Sequence, residues 1–187
     1  MTSPANVEGG ERLRLFLALQ LPGDFLDVVT TWQPQALDGP RLRALPREHV
    51  HVTLAFLGSR PAEELPAILG ALRGAAGEAR RPILRVTGYR ETRSVGMLVL
   101  DDEGGYAIRL AVDVHERLEA LGVYRREQRP WLPHVTVVRF RERPRLRPEL
   151  DPPLREPFSP SEAAAYLSRL HPSGARYEVL DSVALGG

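Results

Sequence analysis

The chain contains no cysteine, so disulfide bonds and thiolate metal ligands are excluded. It also lacks any apolar run approaching the roughly 18 residues that span a membrane. An excess of one charge is missing as well, because 25 basic residues are balanced by 24 acidic ones. Bulk charge therefore predicts no tight nonspecific binding to nucleic acid, and a polyanionic substrate would need a local cluster of arginines.

The composition is that of a soluble globular protein, with 43% hydrophobic and 26% charged residues. A length of 187 residues is enough for one domain with a substantial core. Residues 1–10 are small and polar and lack the apolar core of a signal peptide, so we expect a flexible lead-in to a single domain over residues 11–187. We expect a cytoplasmic protein without a membrane segment, and nothing in the sequence requires more than a monomer.

Two short strings, His51-x-Thr53 and His134-x-Thr136, carry the strongest functional signal. Each has an apolar residue in the middle and continues into a largely apolar run, which predicts a β-strand. Residues i and i+2 of a strand point to the same face, so each string places an imidazole beside a hydroxyl. Two such pairs facing each other across a cleft would supply two proton-transfer groups and two hydrogen-bond donors. That set suits a phosphate ester that needs both an acid and a base.

The elements around the two strings repeat in the order strand, helix and motif strand. Periodicity predicts them at residues 13–19, 24–33 and 49–57 in the first half, and at 94–100, 106–121 and from 134 in the second. We expect Asp24 to cap the first helix, Pro34 to follow its end, and Gly58 to stop the first motif strand. With His51 placed on His134, the halves align at one constant offset. The repeat predicts an α+β fold of two pseudo-symmetric lobes around a central groove.

Further elements complete the predicted fold. A helix at 63–74 has Pro66 in its first turn, where proline is tolerated, and a strand at 83–90 follows. Residues 141–160 are rich in arginine and proline and predict an exposed loop. Residues 163–170 and 175–185 predict a terminal hairpin, although the alanines of the first segment favour a helix by propensity.

The two strings and further segments of the chain match a known family. They are residues 13–22 (LRLFLALQLP), 48–58 (EHVHVTLAFLG), 129–139 (RPWLPHVTVVR), 168–170 (SRL) and 174–180 (GARYEVL). With them the chain resembles the two-histidine (2H) phosphoesterases nearly end to end. Within these it resembles the bacterial and archaeal RNA 2′,3′-cyclic phosphodiesterases, historically named 2′-5′ RNA ligases. Departures are His49 where the family usually has asparagine, Trp131 for phenylalanine, and Val137 for leucine.

The resemblance implies a bilobal 2H phosphoesterase fold of antiparallel sheet and helices, and an RNA 2′,3′-cyclic phosphodiesterase activity. The reaction would be hydrolysis of the cyclic end of an RNA or oligonucleotide to a 2′-phosphomonoester, with reversible 2′-5′ RNA ligation as a related activity. The family implies His51 as general acid on the leaving 3′-oxygen and His134 as general base for water. The motifs are symmetric, and the sequence alone does not decide between these roles. Neither a metal nor another cofactor is required.

Other residues are candidates for binding the substrate. The expected phosphate-binding residues are Thr53, Thr136 and Arg139. The further candidates for substrate binding are Arg129, Phe56 and Trp131. Strict alternation along the strand would place Phe56 on the face opposite His51, and large aromatic residues are more often core than base-stacking surfaces.

Alternatives stay open on the sequence alone. His49 and His51 have the spacing of a metal-binding pair on a strand, but no carboxylate accompanies them, so zinc binding is disfavoured, and a metal-dependent phosphatase is a rival class that a chelator would test. A non-catalytic RNA-end binding protein of the same fold is the main alternative, against which the intact histidines and threonines argue. His115 is expected to be a core residue and His171 a turn residue. The arginines at 141, 143, 145 and 147 either guide RNA or are solvated.

Overall fold

The computed structural model of the protein describes residues 10–37, 39, 42–142, 151, 153, 155–172 and 174–186. The strands over these residues are β1 (Arg12–Gln20), β2 (Leu42–Ala44), β3 (Val52–Pro61), β4 (Ile83–Glu91), β5 (Val95–Glu103), β6 (His134–Phe140), β7 (Glu162–His171) and β8 (Gly174–Ala184). The helices are α1 (Gly23–Ala36), α2 (Leu65–Glu78) and α3 (Tyr106–Ala120). Short 3₁₀ turns span Arg47–His49 and Ala62–Glu64.

The strands form two four-stranded antiparallel sheets. The strand order is β3-β1-β7-β8 in the first sheet and β2-β6-β5-β4 in the second. Each motif strand pairs with the first strand of its own half, β3 with β1 and β6 with β5. The predicted α+β class and two-lobed arrangement are confirmed, and each sheet contributes one motif strand.

The constant offset between the halves does not extend to the partner strands. In the first half, Leu17 of β1 pairs with Ala55 of β3. The offset that places His51 on His134 also places Leu17 on Leu100 and Ala55 on Val138. The residue that pairs with Val138 is, however, Gly96. The connections between partner strand and motif strand therefore differ in length between the halves. The pattern repeat aligned the motif strands correctly and misplaced the partner strands along them.

The repeated helix of each half, α1 or α3, contacts the sheet that holds the motif strand of the other half. α1 follows β1, yet Gln33 on it hydrogen-bonds the backbone of β6. Phe25 of the same helix packs against Phe158, which bridges to β4, with ring centroids 3.9 Å apart. α3 follows β5, yet its buried His115 reaches the backbone of β3. The repeat did not predict this exchange, which joins the two sheets through both helices.

α1 differs from its prediction at both ends. It begins at Gly23, so Asp24 lies in the first turn and accepts a hydrogen bond from the adjacent Phe25 N–H at 2.8 Å instead of capping the helix. The helix also continues past Pro34. Proline removes only one helical hydrogen bond near this end. Gln33 beside it is buried, and its carbonyl accepts the capping backbone N–H, so the last turn is held.

The first motif strand also differs from its prediction. β3 begins at Val52, because the preceding residues form a 3₁₀ turn that ends just before the motif. Gly58 does not stop the strand, which continues to Pro61. With a φ of 68°, Gly58 adopts the left-handed conformation beside a bulge in the pairing with β1. β2, which pairs with β6, lies in a segment that was predicted to be a link. The strand was not predicted because its three residues are too few to show periodicity.

The other predicted elements are confirmed. α3, β4 and β5 lie close to their expected bounds, and β7 with β8 forms the terminal hairpin. α2 begins at Leu65, after a 3₁₀ turn, and continues to Glu78 instead of ending at residue 74. Burial of consecutive alanines in the sheet outweighs their helix propensity. The predicted loop at 141–160 contains Phe158, which bridges to Leu84, while residues 143–150 lie outside the described residues. In the described part of the chain, no helix is long and apolar enough to cross a membrane.

Candidate active site

A groove between the two sheets holds a cavity of about 290 Å³. Its lining includes His49, His51, Thr53, Phe56 and Arg139, so residues from both motif strands meet there. No aspartate or glutamate is among the residues that line it. The cavity therefore presents cations, imidazoles and aromatic rings without an opposing carboxylate, which suits an anionic ligand.

β3 carries a bulge directly after its motif threonine. Thr53 and Ala55 pair with consecutive residues of β1, so Leu54 between them has no partner there. An extra residue reverses the alternation of side chains beyond it. Leu54 and Ala55 are therefore both buried, and Phe56 emerges half-exposed on the face that carries His51. The placement on the opposite face, which strict alternation predicted, is wrong because of this bulge.

β6 repeats the same bulge at the equivalent position. Thr136 and Val138 pair with consecutive residues of β5, which leaves Val137 without a partner. Val137 and Val138 are both buried, and Arg139 emerges exposed on the motif face. Arg139 lines the cavity, and its charge lowers the pKa of the nearby His51. The two halves therefore place an arginine and a phenylalanine at matching positions.

His134 is oriented by its own strand. Its Nδ1 lies 2.8 Å from the Leu132 carbonyl oxygen, which can only accept, so Nδ1–H is the donor and Nε2 is left for the groove. His134 is not among the residues that line the cavity, but it lies near enough that its charge lowers the pKa of His51. Thr136 follows two positions along the same strand.

His51 sits in a more enclosed environment than its counterpart. Its ring stacks on Phe16, with centroids 4.9 Å apart and planes at 27°. Burial is the largest effect and, with the charges of His49, Arg139 and His134, lowers the pKa of His51 from 6.5 to about 4. A hydrogen bond with the His49 backbone opposes this only weakly, and Nδ1 has no partner of good geometry. The ring is therefore neutral at pH 7 in the unliganded protein.

The sequence did not identify several aromatic residues of the cavity. Phe16 stacks on Tyr166 as well as on His51, and the rings of His49 and Tyr177 lie 4.2 Å apart. Phe16 belongs to an apolar run that predicted only a buried strand, and Tyr177 lies in the terminal hairpin. Nothing local marks either residue as part of the site, because the sheet pairing alone brings β1 and β8 to the groove.

Arginines supply the positive charge of the cavity. Arg14, Arg43 and Arg139 line it, and the chain contains no lysine. The Arg14 guanidinium lies over the Phe56 ring, 4.9 Å from its centroid. Arg43 on β2 lies directly opposite Arg139 on β6 in the sheet. The local arginine cluster that the neutral composition required is therefore present, although only Arg139 was identified from the sequence.

Four of the candidate residues lie outside the cavity lining: His134, Thr136, Arg129 and Trp131. Arg129 is exposed and pairs with Glu127 at 2.6 Å. Trp131 is partly buried, and its indole N–H donates to the Thr53 carbonyl at 3.0 Å, which ties the segment before β6 to β3. His115 is buried, as expected for a core residue. Among the described residues, no group of three or more histidine or carboxylate side chains is arranged to hold a metal.

Known proteins match this chain over most of its length. Residues 22–171 match the 2′-5′ RNA ligase superfamily. The chain is 32% identical to the RNA 2′,3′-cyclic phosphodiesterase of Thermus thermophilus, over 94% of this chain and 91% of the relative. It is 24% identical to the protein of the same name from Methanocaldococcus jannaschii, over 90% and 98% of the two chains.

Solved structures agree with this match. The crystal structure of a Thermus thermophilus protein superposes with a TM-score of 0.78 at 30% identity, covering 94% of this chain and 99% of that one. Escherichia coli LigT complexed with 3′-AMP gives a TM-score of 0.77 at 25% identity, covering 95% and 100%. The similarity therefore extends to both lobes.

Proposed function

The chain belongs to the 2′-5′ RNA ligase superfamily, and we propose that it hydrolyses the 2′,3′-cyclic phosphate ends of RNA to 2′-phosphomonoesters. The observation that carries this proposal is the presence of His51, Thr53 and Arg139 in one carboxylate-free cavity, with His134 close by. The names of the curated relatives support the same activity. The enzyme is thus a hydrolase of phosphodiester bonds.

The reaction needs one proton removed and one delivered. A water oxygen attacks phosphorus and forms the new P–O bond, while His134 Nε2 takes the water proton. The bond from phosphorus to the 3′-oxygen breaks, and His51 protonates that oxygen. The two histidines exchange their protonation states in each turnover and return to the starting state by exchange with solvent.

The low pKa of His51 bears on this assignment. A neutral His51 must gain a proton before it acts as an acid, and the negative charge of a bound phosphate diester raises its pKa toward that state. In the unliganded site the neutral form favours the reverse assignment, with His51 as base. A substrate whose leaving group needs no proton distinguishes the two assignments.

Other residues of the groove hold the substrate. The Thr53 and Thr136 hydroxyls donate to non-bridging phosphate oxygens, and the Arg139 guanidinium provides a planar fork for the same group. Phe56, with Arg14 over its ring, offers an aromatic surface for the adjacent base. The cavity suits a nucleotide end better than a long duplex, in keeping with the near-neutral charge of the chain.

One assay tests the reaction and its cofactor independence together. An oligonucleotide with a terminal 2′,3′-cyclic phosphate is incubated with the enzyme in excess EDTA, and the product is identified as a 2′- or 3′-phosphate. We expect a 2′-phosphate at an unchanged rate, because the scheme assigns every step to side chains. Loss of activity with rescue by a divalent metal would contradict the metal-free scheme.

Two further outcomes of this assay are informative. Tight binding of the cyclic end without turnover would support the alternative of an RNA-end binding protein. Joining of a 5′-hydroxyl oligonucleotide through a 2′-5′ linkage is the reverse use of the same groups. The cytoplasmic location and the monomeric state of the protein stay predictions. Light scattering on the purified protein tests the monomeric state.

A further inference from the structure

We propose that Gln33 on α1 and His115 on α3 are positioning residues for the two halves of the active site. Each is a buried polar side chain that hydrogen-bonds the backbone carbonyl at the bulge after one His-x-Thr motif. That bulge turns Arg139 or Phe56 into the groove. The inference rests on the proposed function, because it assigns these residues a role in holding the phosphate and the base.

Gln33 reaches the bulge of β6. Its side chain is only 3% exposed, and its Nε2 donates to the Val137 carbonyl at 2.7 Å and to the Leu45 carbonyl at 3.1 Å. Val137 is the residue that β5 leaves without a partner, and its carbonyl also accepts the Leu45 N–H at 2.9 Å. Leu45 itself lines the cavity. Gln33 therefore joins the bulge to the cavity wall.

His115 reaches the bulge of β3 in the same way. It is 6% exposed, and its Nε2 lies 2.8 Å from the Leu54 carbonyl oxygen. A carbonyl oxygen only accepts, so His115 donates through Nε2–H, and the Tyr124 hydroxyl lies 3.5 Å from the same nitrogen. Leu54 is the residue that β1 leaves without a partner. It occupies the same position in its motif as Val137 does in the other.

The hydrogen bonds favour the bulged register over the regular one. Without the bulge, alternation would carry Phe56 and Arg139 to the face away from the groove. A buried bulge carbonyl without a donor is unfavourable. His115 supplies a donor to the Leu54 carbonyl, and Gln33 adds a second donor to the Val137 carbonyl beside the Leu45 N–H. Apart from Tyr166, the buried polar side chains among the described residues are Gln33, His115 and Ser168, and two of these three serve this purpose. Because the helices are exchanged, each donor comes from the opposite half of the chain.

Gln33→Met tests the β6 side, since it keeps the size of the side chain and removes the N–H donor. We expect affinity for inorganic phosphate and kcat/KM for the cyclic end each to fall about tenfold, with the fold retained. In an Arg139→Ala background the same substitution should change phosphate affinity by less than about twofold, because its effect is transmitted through that side chain. Val29→Ala, a buried apolar change on the same helix, is the control for destabilisation alone.

The β3 side offers a test by conservative rescue. His115→Gln keeps a donor of the type that the other lobe already uses, whereas His115→Leu removes it. We expect His115→Leu to raise KM for an oligonucleotide about tenfold and to lose this effect in a Phe56→Ala background. His115→Gln should stay within about threefold of the wild type. Equal losses in both variants would mean that His115 only fills the core.

A readout without substrate separates this inference from the proposed function. Backbone amide signals of residues 137–139 in Gln33→Met, and of residues 54–56 in His115→Leu, report the bulges directly by NMR. We expect shifts confined to these residues and their neighbours. A wild-type protein that is inactive would refute the proposed function alone, whereas unshifted bulge signals in both folded variants would overturn the positioning roles even if the enzyme is active.

Discussion

The two motif histidines have matching sequences but unequal surroundings. His51 stacks on Phe16 and is desolvated, while His134 is oriented through its Nδ1 by a backbone carbonyl. Replacing either histidine by alanine is expected to lower kcat/KM for the cyclic phosphate at least ~10²-fold, because each removes one proton-transfer step. Hydrolysis of a cyclic-phosphate oligonucleotide measures this loss.

A substrate with an activated leaving group decides which histidine is the acid. A p-nitrophenyl phosphodiester releases p-nitrophenolate, which needs no proton, so loss of the acid costs little while loss of the base still costs fully. We expect His51→Ala to stay within about tenfold of the wild type on this substrate and His134→Ala to stay strongly impaired. The opposite pattern would assign the acid to His134, and equal impairment would count against a separate acid and base.

His49 tunes the site through its charge. The positive charge of His49 is the second-largest cause of the lowered pKa of His51, after burial. His49→Asn should therefore raise that pKa above its present value of about 4, while burial keeps it below 6.5. The acid limb of kcat/KM should move to higher pH in the same sense, because protonation of His51 then begins at higher pH.

Imidazole NMR titration of His51 measures this shift directly. Arg129→Gln is the matched control, since it removes an exposed positive charge outside the cavity. We expect no change in the pKa of His51 in that variant. An unshifted pKa in His49→Asn would show that the charge of His49 does not contribute to the low pKa of His51.

At the scale of elements, the indole of Trp131 links the segment before β6 to β3. It donates to the Thr53 carbonyl, whereas the Trp32 indole donates to the Asp151 carbonyl at the surface. Trp131→Phe should lower the free energy of unfolding by about 1 kcal/mol, with kcat/KM within about threefold of the wild type. Trp32→Phe removes the same type of bond in an exposed setting and should cost less, because water replaces the lost donor. Urea denaturation of both variants compares the two bonds.

The sequence predicted the elements well where periodicity runs over many residues. The two motif strands, α3 and the terminal hairpin follow from alternation, helical spacing and family resemblance. The bulges at Leu54 and Val137 escaped prediction because an extra residue is defined only by the pairing with the neighbouring strand. The histidines and Arg139 were identifiable from the local motifs and the family resemblance. Phe16 and Tyr177 were not, because only the pairing of the strands brings them to the groove.

At the scale of the whole molecule, the two lobes depend on each other. The repeated helix of each half contacts the sheet that holds the motif strand of the other half, and strands distant in sequence pair within each sheet. α1 lies in the first half of the chain and covers the second sheet, while α3 lies in the second half and reaches β3. The groove is therefore built from segments that are distant in sequence, and local pattern alone did not predict which helix covers which sheet. Neither half of the chain contains a complete lobe, so we expect both lobes to unfold in one transition.

Phe25 gives the sharpest test of this interdependence. It belongs to α1, is 1% exposed, and packs against Phe158 beside the second sheet. Phe25→Ala should lower the free energy of unfolding by roughly 3–5 kcal/mol. If the lobes form one cooperative unit, the slowest-exchanging amides of β1 and β5 should lose protection equally in hydrogen exchange. Phe56→Ala, at a position 50% exposed, is the matched control with little loss. Lower protection in β5 alone would indicate two units that unfold separately.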